Sequence, residues 1–194
     1  MTTLAKITQA IKYDPDNAEF TKKGWDPLFQ LPATAKVLVI SQAPGRVAQQ
    51  ARTSFDDASG DRLRDWMGVT RDEFYTSGKI AVMPLDFYYP GKGKSGDLPP
   101  RKGFAEKWHA PLLQLVPDVQ LTLLVGQYAI KAYLGKQRYK TLTATVQNYT
   151  EYLPDYFPLV HPSPLNYGWQ NRNPWFQEQV VPELQARVRQ ALTD

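Results

Sequence analysis

The sequence contains no cysteine, which excludes disulfide bonds, thiolate zinc sites, cysteine nucleophiles and cysteine-ligated iron–sulfur clusters. Histidine is almost as scarce: only His109 and His161 occur, so no metal site is expected. His109 follows Trp108 in a segment of helical spacing and is expected to be structural. No apolar run approaches the roughly 20 residues needed to cross a bilayer. The opening MTTLAKITQA also lacks the charged and apolar regions of a secretory signal. The expectation is a cytoplasmic protein with no membrane partner. There is no internal repeat and no low-complexity run.

What is present describes a globular chain. Its 194 residues are 42% hydrophobic and 22% charged, which fits one substantial core and a single domain over residues 1–194; a monomer is the working expectation. The net charge of +4 is compatible with a polyanionic partner without identifying one. Four compact apolar runs read as buried strands: Val37 to Ser41, Ile80 to Met83, Leu121 to Val125 and Phe157 to Val160. Such runs arise where both faces of a parallel sheet are covered. Pro158 places the last at a sheet edge or delays its start.

Helical spacing occupies the intervals, at Arg62 to Met67, Phe104 to Leu115, Gln127 to Leu134 and Trp175 to Leu192. The last puts Phe176, Val180, Val181, Leu184 and Val188 on one stripe, with Pro182 expected to kink or split it. Alternation of strands and helices indicates an α/β fold with a mainly parallel sheet. Tyr88 to Lys102, rich in glycine, proline and basic residues, reads as a long surface loop, and on sequence alone as a solvated connection. It follows the carboxyl end of the second strand, where open α/β sheets bind ligands.

Two stiff turns carry the chemical signal. SQAPG at Ser41 to Gly45 follows the first strand, and its Pro44 and Gly45 force a turn whose backbone amides can approach a ligand. HPSPLN at His161 to Asn166 follows the fourth strand and leaves an imidazole, the side chain suited to work near neutral pH, at the strand's end. Adjacent parallel strands are expected to bring both loops to one edge of the sheet.

These segments resemble the uracil-DNA glycosylase superfamily. SQAPG is similar to its first motif (GQDPY, GINPG, GEAPG or GLAPA), and HPSPLN to its HPSP-type loop. RTSFDDASGDRL at Arg52 to Leu63 is similar to the RTG..F.GD.SGD.L stretch of the bacterial and archaeal GEAPG and GLAPA branches. LLVGQYA at Leu123 to Ala129 matches the superfamily's strand, glycine and helix start. The resemblance runs in order over about residues 36 to 192.

It implies a three-layer α/β/α sandwich around a short, mainly parallel four-stranded sheet. It also implies a monofunctional glycosylase of base excision repair that hydrolyses the N-glycosidic bond of uracil or another deaminated base flipped from DNA. By position in the motifs, Phe55 stacks on the base and His161 donates to its carbonyl oxygen. Ala43, Pro44 and Gly45 line the base. Ser163 contacts phosphate, Leu165 wedges into the duplex, and Asn166 extends that surface.

Three departures from the pattern matter. The water-holding acid of GQDPY is Ala43 here, which leaves Asp57 as the matching acid of the GLAPA branch and Gln42 as an amide able to orient a water but not to act as a base. Either Asp56 or Asp57 can instead cap the helix that follows, and for Asp56 that is the preferred reading. The position that reads the base with an asparagine is Met83, a side chain that packs against a base but cannot pair with its edge. The four cluster cysteines of the GEAPG and GLAPA branches are missing, so no cofactor is expected. A catalytically weak or inactive relative that binds DNA or nucleotides, and a hydrolase of free nucleosides, remain open beside the glycosylase.

Overall fold

Every residue of the first and third apolar runs is buried. Since successive strand residues point to opposite faces, both faces of the sheet are covered there. The computed structural model describes residues 3–94 and 96–193. Among them the chain forms α1 (Leu4–Lys12), α2 (Ala18–Lys22), β1 (Val37–Ile40), α3 (Arg46–Ala51), α4 (Ala58–Met67), α5 (Arg71–Thr76) and β2 (Ile80–Val82). It continues through α6 (Phe104–Leu113), β3 (Leu121–Val125), α7 (Gly126–Leu134), α8 (Leu142–Gln147), β4 (Tyr156–Leu159), α9 (Tyr167–Arg172) and α10 (Val181–Thr193).

The four strands form one all-parallel sheet in the order β2-β1-β3-β4, flanked by helices. β4 lies at the edge, where Pro158 faces Leu124 and its missing N–H costs no ladder bond on the open side. β1 and β4 are not adjacent, contrary to the sequence expectation, because β3 separates them. The two turns nevertheless share the carboxyl edge, since every strand runs the same way. The order reverses between β1 and β3, which is where sheets of this kind open a crevice.

The opposite edge is closed by residues 28–30. Gln30 bridges Val82 in antiparallel fashion, and the Leu28 amide donates to the Phe87 carbonyl at 2.7 Å. Past β2 the chain keeps its pairing with β1 and the loop after it, as Met83 donates to Val39, Leu85 to Ser41 and Asp86 to Gln42. This extension carries the chain under the loop at Ser41 to Gly45 before it turns outward.

The last apolar stripe docks as expected, with Phe176, Val180, Leu184 and Val188 buried and α10 packed on α4, β1 and β3. Pro182 sits in the first turn of α10, preceded by a π-helical segment Phe176–Val180. Proline has no amide to donate back into the preceding turn, so the helix widens there.

Candidate active site

At the carboxyl edge, both turns open onto one cavity of about 340 Å³, at the small end of the range for ligand sites. Ser41, Gln42, Ala43, Pro44 and Gly45 form one side, and His161, Ser163 and Leu165 another. Phe55 and Asp57 enter from the segment before α4, while Pro90, Lys92, Gly96 and Asp97 close it from the long loop. A wider cavity of about 630 Å³ lies between α6 and α7, against His109 and Tyr133. There both ring nitrogens of His109 are engaged, with Nδ1 2.7 Å from the Tyr133 hydroxyl and Nε2 3.0 Å from the Pro84 carbonyl. His109 therefore holds α6 to the end of β2 and has no free nitrogen for a ligand.

The Phe55 wall is built on strain. Phe55 has φ 57°, a left-handed conformation uncommon outside glycine. Two features fix it. A Cβ on Gly60 would lie 1.7 Å from the Phe55 carbonyl oxygen, so only glycine allows the first turn of α4 to meet that carbonyl. The buried Arg64 donates to the same oxygen at 3.1 Å, and Tyr75 donates to the Ser54 carbonyl at 2.8 Å. The ring packs edge-on against Phe74 at 6.5 Å, half-buried, so Phe55 serves the core and the cavity together. The hydroxyl oxygen of Ser54, also lining the cavity, is buried without a partner among the described residues.

Asp57 is the helix cap: its Oδ1 accepts from the Gly60 amide at 2.9 Å. Asp56, for which capping is the sequence expectation, pairs instead with Arg71 at 2.7 Å. The geometry that decides this is the extended backbone at Asp57, with φ −156° and ψ 179°, which aims its side chain back at the first turn. Its other oxygen lies 3.8 Å from where a Cβ would sit on Gly45, facing the first loop.

His161 backs onto Gly126, whose φ of +86° brings the chain round close to the imidazole. Burial holds the His161 pKa below its ordinary value, and the charges of Asp57 and Asp97 only partly oppose this. The ring is therefore neutral at neutral pH and retains one N–H to donate. The His161 carbonyl accepts from Asn166 Nδ2 at 2.7 Å, which locks the turn.

Some sequence expectations land elsewhere. Met83 is fully buried in the core, and its neighbours Val82 and Pro84 face the cavity instead. A residue one step past the strand end alternates inward, so Met83 does not serve as a base-contacting group. Asn166 lines a smaller adjoining cleft of about 240 Å³ with Gln42, Gly126 and His161. Gln42 donates its amide to the Leu98 carbonyl at 2.7 Å, tying the first loop to the long loop and leaving its oxygen and its second N–H for another partner. Leu165 is 90% exposed at the cavity mouth. Beside it, Arg62 lies 3.9 Å over the Tyr167 ring.

The long loop is more than a solvated connection. Tyr88 and Tyr89 are buried, and Arg101 makes a paired contact with the fully buried Asp86, Nε to Oδ2 at 2.7 Å and Nη2 to Oδ1 at 2.8 Å. Arg101 also donates to Asn17 Oδ1 at 2.7 Å and lies over the Phe104 ring at 4.4 Å. Its strapping places Asp97 at the cavity, a residue the sequence analysis overlooked. The available signal was a lone acid in a basic stretch just after a strand's carboxyl end.

The iron–sulfur cluster of the GEAPG and GLAPA branches has no ligands here, since the chain lacks cysteine. Among the described residues, no cluster of three or more His, Asp or Glu is placed to hold a metal ion, and no helix is long and apolar enough to cross a membrane. A family model described as the Uracil DNA glycosylase superfamily matches residues 28–185, a span that includes every residue named around the cavity.

Proposed function

The chain belongs to the uracil DNA glycosylase superfamily, and from that premise we propose that it hydrolyses the N-glycosidic bond of uracil or another deaminated base flipped out of DNA. The observation that carries this reading is the convergence of Phe55, Asp57 and His161 on one base-sized cavity. Flipping is required because the bond cannot be reached inside the stack.

In this reading Phe55 supplies a flat apolar face for the base. His161 donates its N–H to a base carbonyl oxygen as negative charge gathers there during bond cleavage. A donor preorganised in a dry site is often the largest catalytic contribution, ~2.7–4 kcal/mol in a well-studied case. Asp57, fixed through its cap bond, offers its second oxygen to a water that attacks the sugar carbon, with the Gln42 carbonyl oxygen as a second acceptor. Because the carboxylate sits on a helix terminus, the water's position is set by the scaffold rather than by a loose loop. Leu165 enters the duplex where the base has left, and Ser163 meets a phosphate.

The test is incubation with single- and double-stranded oligonucleotides carrying uracil, hypoxanthine, xanthine or mismatches, followed by alkali. The expected result is cleavage at a deaminated base, lost in His161→Ala. No abasic product from any substrate overturns the reading. A non-catalytic DNA-binding module is favoured by Ala43 and by the engagement of the Gln42 amide with Leu98. It predicts salt-sensitive affinity without cleavage.

A further inference from the structure

We propose that Asp97 sets the specificity of this cavity by accepting the ring N–H of a base whose neighbouring carbonyl is held by His161. The inference rests on the reading above and assigns the base-recognition role that Met83 is too deeply buried to fill. Asp97 lines the same cavity as His161 and Phe55. Its backbone is fixed by an antiparallel bridge with Lys92 and by the bond from Leu98 to the Gly91 carbonyl. The next residue's carbonyl is held by Gln42 at 2.7 Å, so the carboxylate is positioned against the first loop. Oδ1 is 3.4 Å from the Tyr89 hydroxyl and 3.9 Å from Lys92 Nζ. Among the described residues no protein donor reaches Oδ2. Its charge is felt at His161, consistent with the two groups sharing one space.

The chemistry of the pair selects an edge. An ionised carboxylate only accepts hydrogen bonds, whereas a neutral imidazole N–H donates one. Facing one cavity, they complement a carbonyl next to a ring N–H, the lactam or imide edge of uracil, hypoxanthine and xanthine. Cytosine presents a lone pair where Asp97 needs a proton, and adenine turns an amine toward the His161 donor. A site built to hydrogen-bond one edge rejects a base that leaves its polar groups unpaired, and the Asp97 side chain, 37% exposed, is partly open to solvent while it does so. Guanine and thymine carry the lactam edge too, so Asp97 separates lactams from amino-substituted bases and leaves size to the apolar walls.

The experiment measures two properties of the wild type, Asp97→Ala and Asp97→Asn. The first is base release from uracil and cytosine oligonucleotides. The second is fluorescence anisotropy with oligonucleotides carrying an uncleavable 2′-fluorinated uridine or cytidine. The wild type is expected to favour uridine, and Asp97→Ala to lose roughly 10- to 100-fold of that preference. Asp97→Asn, which can turn its amide either way, narrows the gap by gaining affinity for cytidine. An unchanged uridine preference in Asp97→Ala, or none in the wild type, overturns the inference. Absence of base release by the wild type defeats the glycosylase reading alone, and the anisotropy ratio then decides the role of Asp97. The near-isosteric Asn variant keeps the test valid if the alanine variant fails to fold.

Discussion

The two walls of the cavity are held in different ways. The wall before α4, carrying Phe55 and Asp57, is fixed by local geometry: a left-handed Phe55, a glycine at position 60 that nothing larger can replace, and a buried Arg64 on the strained carbonyl. The wall from residues 88–102 has little regular structure and depends on distant fasteners, chiefly the Asp86–Arg101 pair and the Gln42–Leu98 bond. The first suits groups that must not move during a reaction. The second suits groups that choose what enters, since it can be altered without disturbing the first.

The largest expected effect is on the strapped wall. Arg101→Ala leaves the Asp86 carboxylate buried with only backbone donors, and is expected to lower stability by about 3 kcal/mol, read by urea unfolding. An unchanged midpoint removes the ion pair as the fastener. Phe55→Ala comes next, weakening oligonucleotide binding by ~1–3 kcal/mol through lost stacking. It should do so equally for uridine and cytidine, in contrast to substitutions at Asp97, and a changed ratio would erase the division between walls.

Gln42→Ala is expected to cost about 1 kcal/mol and to raise proteolytic nicking within residues 88–102, with the Phe55 wall unaffected. The smallest effect is in pH. Burial holds the pKa of both histidines below the ordinary 6.5, so the unfolded chain binds protons that the folded chain refuses. Stability is therefore expected to fall as pH drops below about 6.5. Unfolding curves that coincide at pH 7.5 and 5.5 would contradict that burial.

Local signals made much of this legible. The four strands were readable because doubly covered strands leave uninterrupted apolar runs, and Pro158 marked the edge strand. The two turns at Ser41 to Gly45 and His161 to Asn166 were readable because proline and glycine fix the backbone whatever surrounds it. What escaped was set by contacts between distant residues. The placement of β3 between β1 and β4, the burial of Met83, and the fastening of the long loop by an arginine to an aspartate before it leave no periodic trace. Capping by Asp57 rather than Asp56 turned on the extended backbone at Asp57.

The central claim is that a base lies between the Phe55 ring and the His161 imidazole. With only two histidines in the chain, imidazole NMR tests it without requiring turnover. On adding an oligonucleotide with an uncleavable 2′-fluorinated uridine, the His161 ring signals are predicted to shift while those of His109, engaged at both nitrogens, stay put. A bound oligonucleotide that leaves His161 unmoved would contradict the account.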